Sequence, residues 1–156
     1  MKQDRRHERE SVLERKAAMA VLAAAPADLL EAIWQAAALP TRAHPVRGPE
    51  TGLVTVRGRI GGSGAPFNFG EATVTRATVR LEDGSVGHAY ALGRDAGKAR
   101  LAAIADALWQ DPARRGLVED KILAPLRRAQ AEADRHRREE TAATKVDFFT
   151  MVRGED

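Results

Sequence analysis

ETGLVTVRGRIGGSGAPFNFGEATVTRATVRLEDGSVGHAYALGR, residues 50–94, is the stretch in which apolar residues alternate with polar ones at period two. Such alternation belongs to strands, because successive side chains of a strand point to opposite faces. From Gly52 to Ile60, a half-buried strand is expected, with Val54, Val56 and Ile60 on one face and Thr55, Arg57 and Arg59 on the other. The run Gly61-Gly62-Ser63-Gly64-Ala65-Pro66 favours a turn over continued pairing. Phe67 to Gly70 then leads into a strand from Thr73 to Leu81, with Ala77, Val79 and Leu81 inward and Arg76, Thr78 and Arg80 outward. Val74 violates that parity, and a bulge near Thr75 would explain it. Asp83-Gly84 marks a tight hairpin turn, and the return strand runs from Val86 to Leu92.

Helical patterns flank this sheet. On the N-terminal side, Leu13, Ala17 and Val21 recur at helical spacing, with Ser11 and Glu14 as a capping box. Pro26 interrupts that helix and opens a second one, which buries Leu30, Ile33, Trp34 and Ala37 and stops before Pro40. Thr41 to Pro49 is a connector or a short edge strand, where proline is tolerated. After the sheet, Asp95 caps a helix with a stripe of Leu101, Ile104, Ala105 and Leu108, joined by Trp109 and closed by Asp111-Pro112. A further helix starts near Leu117, buries Val118, Ile122, Leu126 and Ala129, and becomes highly charged from Arg127 to Glu140. The expected fold is α+β: about four antiparallel strands with N-terminal and C-terminal helices packed on one face. Residues 1–156 form one domain, with a charged extension at 1–10 and an apolar tail at 145–156.

Composition narrows the chemistry. There is no Cys, which removes disulfides, thiolate metal sites and a Cys nucleophile. No apolar run approaches the roughly 20 residues that span a bilayer, and the N-terminus lacks a signal-peptide pattern, so a soluble cytoplasmic protein with no membrane partner is expected. Lys+Arg number 25 against 22 Asp+Glu, a net charge of only +3, and the charge runs are mixed in sign. With aromatics at 4%, neither a basic stripe nor a base-stacking platform is evident, and nucleic acid is not an expected partner.

Motifs for catalysis are missing. The Gly-rich loop lacks the Lys-Ser/Thr pair and helix start of a P-loop. His7, His44, His88 and His136 stand without ligand spacing, and Ser11, Ser63 and Ser85 occupy capping or turn positions. No catalytic, cofactor-binding or metal residue is assigned. Two surfaces remain as candidates. Arg57, Arg59, Arg76 and Arg80, placed outward by strand parity, would make an anion-binding or docking face if their strands are adjacent; a solvated face partnered by local carboxylates is the alternative. Val146, Phe148, Phe149, Met151 and Val152, with Arg153, concentrate apolar and aromatic mass in a tail, the place where chains are usually polar. That tail either packs on its own sheet or inserts into a partner.

The segments ETGLVTVRGRIGGSG, GEATVTRATVRLEDGSVGHAYALGRD and KVDFFTMVRGED, with ILAPL at Ile122 to Leu126, resemble the PhnG family, a subunit of the bacterial carbon-phosphorus lyase core complex. The resemblance covers Glu50 to the C-terminus, and the N-terminal helices only by general pattern. It implies organophosphonate catabolism: displacement of adenine from MgATP to give α-D-ribose 1-methylphosphonate 5-triphosphate, carried out with PhnH, PhnI and a PhnL- or PhnK-type ATP-binding protein. PhnJ would later cleave the carbon-phosphorus bond. It further implies a structural or assembly subunit that binds no cofactor itself, within a complex that uses MgATP as substrate. A small anion- or nucleic-acid-binding module using the arginine face is the competing expectation.

Overall fold

The computed structural model describes residues 2–143, with the side-chain surroundings of all of these except 2–9, 62 and 143. In chain order the elements are α1 (Lys2–Ala24), α2 (Ala27–Ala37), β1 (His44–Arg59), β2 (Pro66–Arg80), β3 (Val86–Leu92), α3 (Ala96–Gln110), α4 (Pro112–Val118) and α5 (Ala124–Ala143). A 3₁₀ turn at Ile60–Gly62 joins β1 to β2, and a π turn at Glu119–Leu123 joins α4 to α5. Among these residues, no single helix is long and apolar enough to cross a membrane.

The class is α+β, with a three-stranded antiparallel sheet in the order β1-β2-β3 rather than four strands. The fourth expected strand is the first half of β1. Pro45 and Pro49 do not break it, because β1 is an edge strand whose register slips between Pro45 and Arg47 and between Arg47 and Glu50. Each slip places the extra residue on β1, where a missing N–H costs no central ladder bond. The bulge expected near Thr75 is absent, since β2 runs in continuous register there against both neighbours. Thr75 belongs to the inward row with Ala77 and Val79, and Val74 faces outward. The third slip lies between Val56 and Arg57, where β2 carries the extra residue, Phe69.

Helix α3 is the layer that covers the sheet; α4 packs on α3, α1 on both α3 and β3, α2 on α3 and the π turn, and α5 on the π turn, α1 and α2. It is buried on nearly all sides, from Lys98 to Trp109, instead of along the one stripe its sequence suggested. Its alanines permit a close approach: a Cβ on Gly87 of β3 would stand 1.9 Å from the Ala103 carbonyl oxygen and 2.6 Å from the Ala107 nitrogen. The core joins Ala77, Val79 and Ala89 of the sheet to Ile104 and Leu108 of α3, Leu30 and Trp34 of α2, and Ile122, Leu123 and Leu126.

α1 presents a face one residue away from the expected one. Ala18, Leu22 and Ala25 are buried, whereas Leu13 is 66% exposed. The helix also runs unbroken through Ser11, which therefore caps nothing. The cause is Arg15, three residues before Ala18 on the same face, whose guanidinium seats on the buried carboxylate of Asp106. Asp95 caps α3 as expected, accepting from the Lys98 amide at 2.7 Å, and Asp111 caps α4 by accepting from the Ala113 amide. The last helical unit thus begins at Pro112 rather than near Leu117.

Candidate assembly surface

β3 pairs with β2 only from Val74 to Arg80. Beyond that point Leu53–Arg59 and Pro66–Thr73 continue as a two-stranded arm, about 23 Å long at ~3.3 Å per residue, with no third strand beside it. Its apolar side chains are open: Leu53 is 61% exposed, Ile60 75% and Phe69 62%. This corrects the half-buried reading of Gly52 to Ile60. The alternation in sequence is real, but no element packs on the face it marks.

The arm is shaped, not frayed. Phe67 and Phe69 meet with ring centroids 6.2 Å apart at 56°. The ring of Phe69 lies against Gly58, where a Cβ would come within 2.9 Å of Cε1. Gly58 therefore opens the slot that the bulged Phe69 fills. At the tip, Gly61 has φ +61°, a conformation that suits glycine, and the Gly64 amide donates to the Ile60 carbonyl at 3.2 Å.

Next to the arm, the sheet face turned away from α3 holds Val54, Val74, Leu92 and Tyr90, with Leu92 and Tyr90 each more than half exposed. A shallow hollow of about 210 Å³ there is lined in part by Glu50, Val54, Val74, Arg76 and Tyr90. Arg76 donates to Glu50 from Nη2 at 2.7 Å, and Arg47 donates to the same carboxylate at 3.0 Å. Arg76 first, then Arg47, holds the Glu50 carboxyl below its ordinary range.

The four arginines do not form one cluster. Arg57 pairs with Asn68, eight positions along β2 from Arg76, which is about 27 Å at ~3.4 Å per residue. Glu50, Gly52 and Val54 lie opposite Arg76, Val74 and Ala72, so alternation puts Arg57 and Arg59 on the opposite face from Arg76 and Arg80. The sequence parity was right within each strand, but the pairing register decides which faces coincide. Arg59 donates to the Gly64 carbonyl at 3.1 Å and braces the arm tip. Val146, Phe148, Phe149, Met151, Val152 and Arg153 lie outside the described residues.

Among the described residues no three His, Asp or Glu side chains converge in a way that would hold a metal. His88 Nδ1 lies 3.1 Å from Thr78 Oγ1, and His136 lies 3.3 Å from Glu140 on exposed α5. The buried polar centre is elsewhere. Asp106, 2% exposed, accepts from Arg15 Nε and Nη2 at 2.9 and 2.8 Å and from the His88 amide at 2.8 Å. Lys98, 6% exposed, donates to the Ala23 carbonyl at the end of α1, and burial lowers its pKa. Sequence reasoning missed both, although two charged residues inside an alanine-rich buried helix were a usable signal.

Residues 13–154 match the family model described as phosphonate metabolism protein PhnG. The chain belongs to the PhnG family. It is 57% identical over 145 residues to the alpha-D-ribose 1-methylphosphonate 5-triphosphate synthase subunit PhnG of Rhizobium meliloti (strain 1021), covering 93% of this chain and 92% of that protein. The match takes in the N-terminal helices, beyond the segments that carried the resemblance in sequence. The apolar arm and the sheet face beside it are the large apolar surfaces that the described residues leave open.

Proposed function

We propose that this chain is an assembly subunit of an alpha-D-ribose 1-methylphosphonate 5-triphosphate synthase, and that its arm docks into neighbouring subunits. The single observation that carries this reading is the arm itself. A lone two-stranded hairpin is at best marginally stable in water. Here one extends past its sheet with Leu53, Ile60, Phe67 and Phe69 exposed. Burying such side chains contributes about 1.5–3 kcal/mol each, enough to make a few of them the anchors of an interface.

In this reading the neighbours are the PhnH-, PhnI- and PhnJ-type subunits, with a PhnL- or PhnK-type ATP-binding protein, in the cytoplasm. MgATP is the substrate of the assembly, and this chain holds no cofactor of its own. The tail with Val146, Phe148, Phe149, Met151, Val152 and Arg153 supplies a second contact. The arginines act as two pairs: Arg57 and Arg59 on the arm, Arg76 and Arg80 on the sheet.

Adenine release from MgATP and methylphosphonate tests the reading. The purified chain alone gives no release, and adding it to the remaining subunits restores it. Turnover by the chain alone would overturn the assembly role.

A further inference from the structure

The two edges of the sheet are finished differently. The Gly93 amide donates to the Thr73 carbonyl, and the Leu81 amide donates to the Ser85 carbonyl. Odd-numbered residues of β2 therefore bond toward β3 and even-numbered ones toward β1. In β3 the even-numbered residues must point their N–H and C=O groups outward, and side chains of α3 meet one such group on each of Val86, His88 and Leu92. Gln110 Nε2 donates to the Val86 carbonyl at 2.9 Å, the His88 amide donates to Asp106 at 2.8 Å, and Lys98 Nζ reaches the Leu92 carbonyl at 3.4 Å.

The outward backbone groups of β1 are left without such partners. Gly52 and Val54 pair with Val74 and Ala72, both even-numbered, so their backbone groups bond to β2. Thr51, Leu53 and Thr55, and Arg57 by continued alternation, aim theirs away from the sheet. No described side chain meets them. The devices that blunt an edge strand, prolines and bulges on the strand itself, are confined to Pro45–Pro49. From Glu50 to Val56 β1 carries no proline or bulge and pairs in continuous register, leaving an unguarded edge up to the Phe69 bulge of β2.

We infer that residues 50–58 of β1 accept an added strand from a neighbouring subunit, an extended segment in which apolar residues alternate with acidic ones. This rests on the assembly reading and specifies it. Main-chain bonds to Thr51, Leu53, Thr55 and Arg57 supply the register. The apolar residues lie beside Val54 and Val56, extending the open face with Val74 and Leu92. The acidic residues lie on the other face, which also carries Leu53 and Glu71, beside Arg57 and Arg59; Arg57 has no carboxylate partner among the described residues. Charge complementarity thus selects a heterologous acidic strand over a second copy of this chain, whose β1 would bring Arg57 and Arg59 again.

Amide hydrogen exchange on the full chain, alone and within the assembled complex, tests this directly. The Thr51, Leu53 and Thr55 amides exchange fast in the free chain and at least about tenfold slower in the complex, while the Gly52 and Val54 amides are protected in both. Equal exchange at the three odd positions in both states overturns the inference. Thr55→Pro removes one outward N–H without touching the β1–β2 ladder, and Thr55→Ala keeps it. Assembly weakens at least about tenfold in the first and stays within about threefold in the second. If Thr55→Pro lowers the melting temperature of the free chain, the exchange result alone decides. Protection of the odd amides in a homodimer of the free chain identifies a second copy as the occupant and overturns the heterologous strand. Loss of assembly on truncating Phe67 and Phe69, with unchanged exchange at β1, leaves the assembly reading standing and removes strand addition.

Discussion

Arg15 and Asp106 meet through two parallel bonds, Nε to Oδ1 at 2.9 Å and Nη2 to Oδ2 at 2.8 Å, across 91 residues of chain. The same carboxylate accepts the His88 amide, so one ion pair ties α1, α3 and the edge of β3 together. Asp106 raises the pKa of Arg15 through that bonding, against the effect of its partial burial. Replacing Arg15 by Ala strands a buried carboxylate, a lesion of about 3–5 kcal/mol when one partner of a buried pair is removed. Because a third of the Arg15 side chain is exposed, the lower figure applies. Urea unfolding of Arg15→Ala should show a loss of about 3 kcal/mol, and a change below about 0.5 kcal/mol, the range of an ordinary surface substitution, would contradict this role.

Gly87 sits where α3 presses closest to the sheet. A methyl group there meets the Ala103 carbonyl oxygen at 1.9 Å, well inside contact distance and against backbone that has no rotamer to yield. Gly87→Ala should therefore cost at least the upper part of the ~1–3 kcal/mol range for overpacked cores. Gly52→Ala is the control, since a methyl group added there would meet nothing within 4 Å. Thermal unfolding of the two variants should separate them clearly, and equal melting temperatures would count against the close helix–strand contact.

The carboxylates give the pH dependence its sign. Arg76 and Arg47 hold Glu50 low. Asp83 is lowered by the Ser85 amide and hydroxyl and by Arg114, and Asp111 by the Ala113 amide and Arg114. At Glu119 burial acts upward but is outweighed by bonds from Arg127 and from the Trp109 indole, the latter at 2.7 Å. A lowered folded pKa means stability that is complete above the unfolded value, 4.5 for Glu and 3.8 for Asp, and lost as pH falls below it. Melting temperature should hold from pH 7 to about 5 and fall below about 4.5. Salt should erode the contributions of the exposed Glu50 and Asp83 pairs more than that of half-buried Glu119. A melting temperature that rises on acidification through this window would reverse the assignment.

The sheet was legible where its own residues decide the outcome. Period-two alternation and Asp83-Gly84 located β2, β3 and their turn, and Asp95, Pro26 and Pro112 marked helix boundaries correctly. The buried face of α1 was not legible, because Leu13, Ala17 and Val21 are as good a helical stripe as Ala18, Leu22 and Ala25 until Asp106 claims Arg15. Nor was the arm. Val54 and Val56 announce a strand with an apolar face, and the end of β3 at Leu92 was legible too, but nothing in these residues says that no other element covers that face. The arginine face failed for a related reason: parity is a property of one strand, and Arg57 and Arg76 belong to two strands joined by a register with a bulge at Phe69.

The arm separates folding from assembly, because its side chains contribute little to the fold of the free chain. Truncating Ile60 or Phe67 to Ser should shift its unfolding free energy by no more than about 1 kcal/mol, since surface substitutions rarely exceed that. A large loss in the free chain would place these side chains in its own core.

Phe69→Ser combined with Ile60→Ser, followed by sedimentation of the full set of synthase subunits, tests the central claim most directly. The account predicts a free chain of unchanged melting temperature that no longer enters the complex, with adenine release from MgATP and methylphosphonate lost in step. A complex of normal size and normal turnover carrying both substitutions would contradict it.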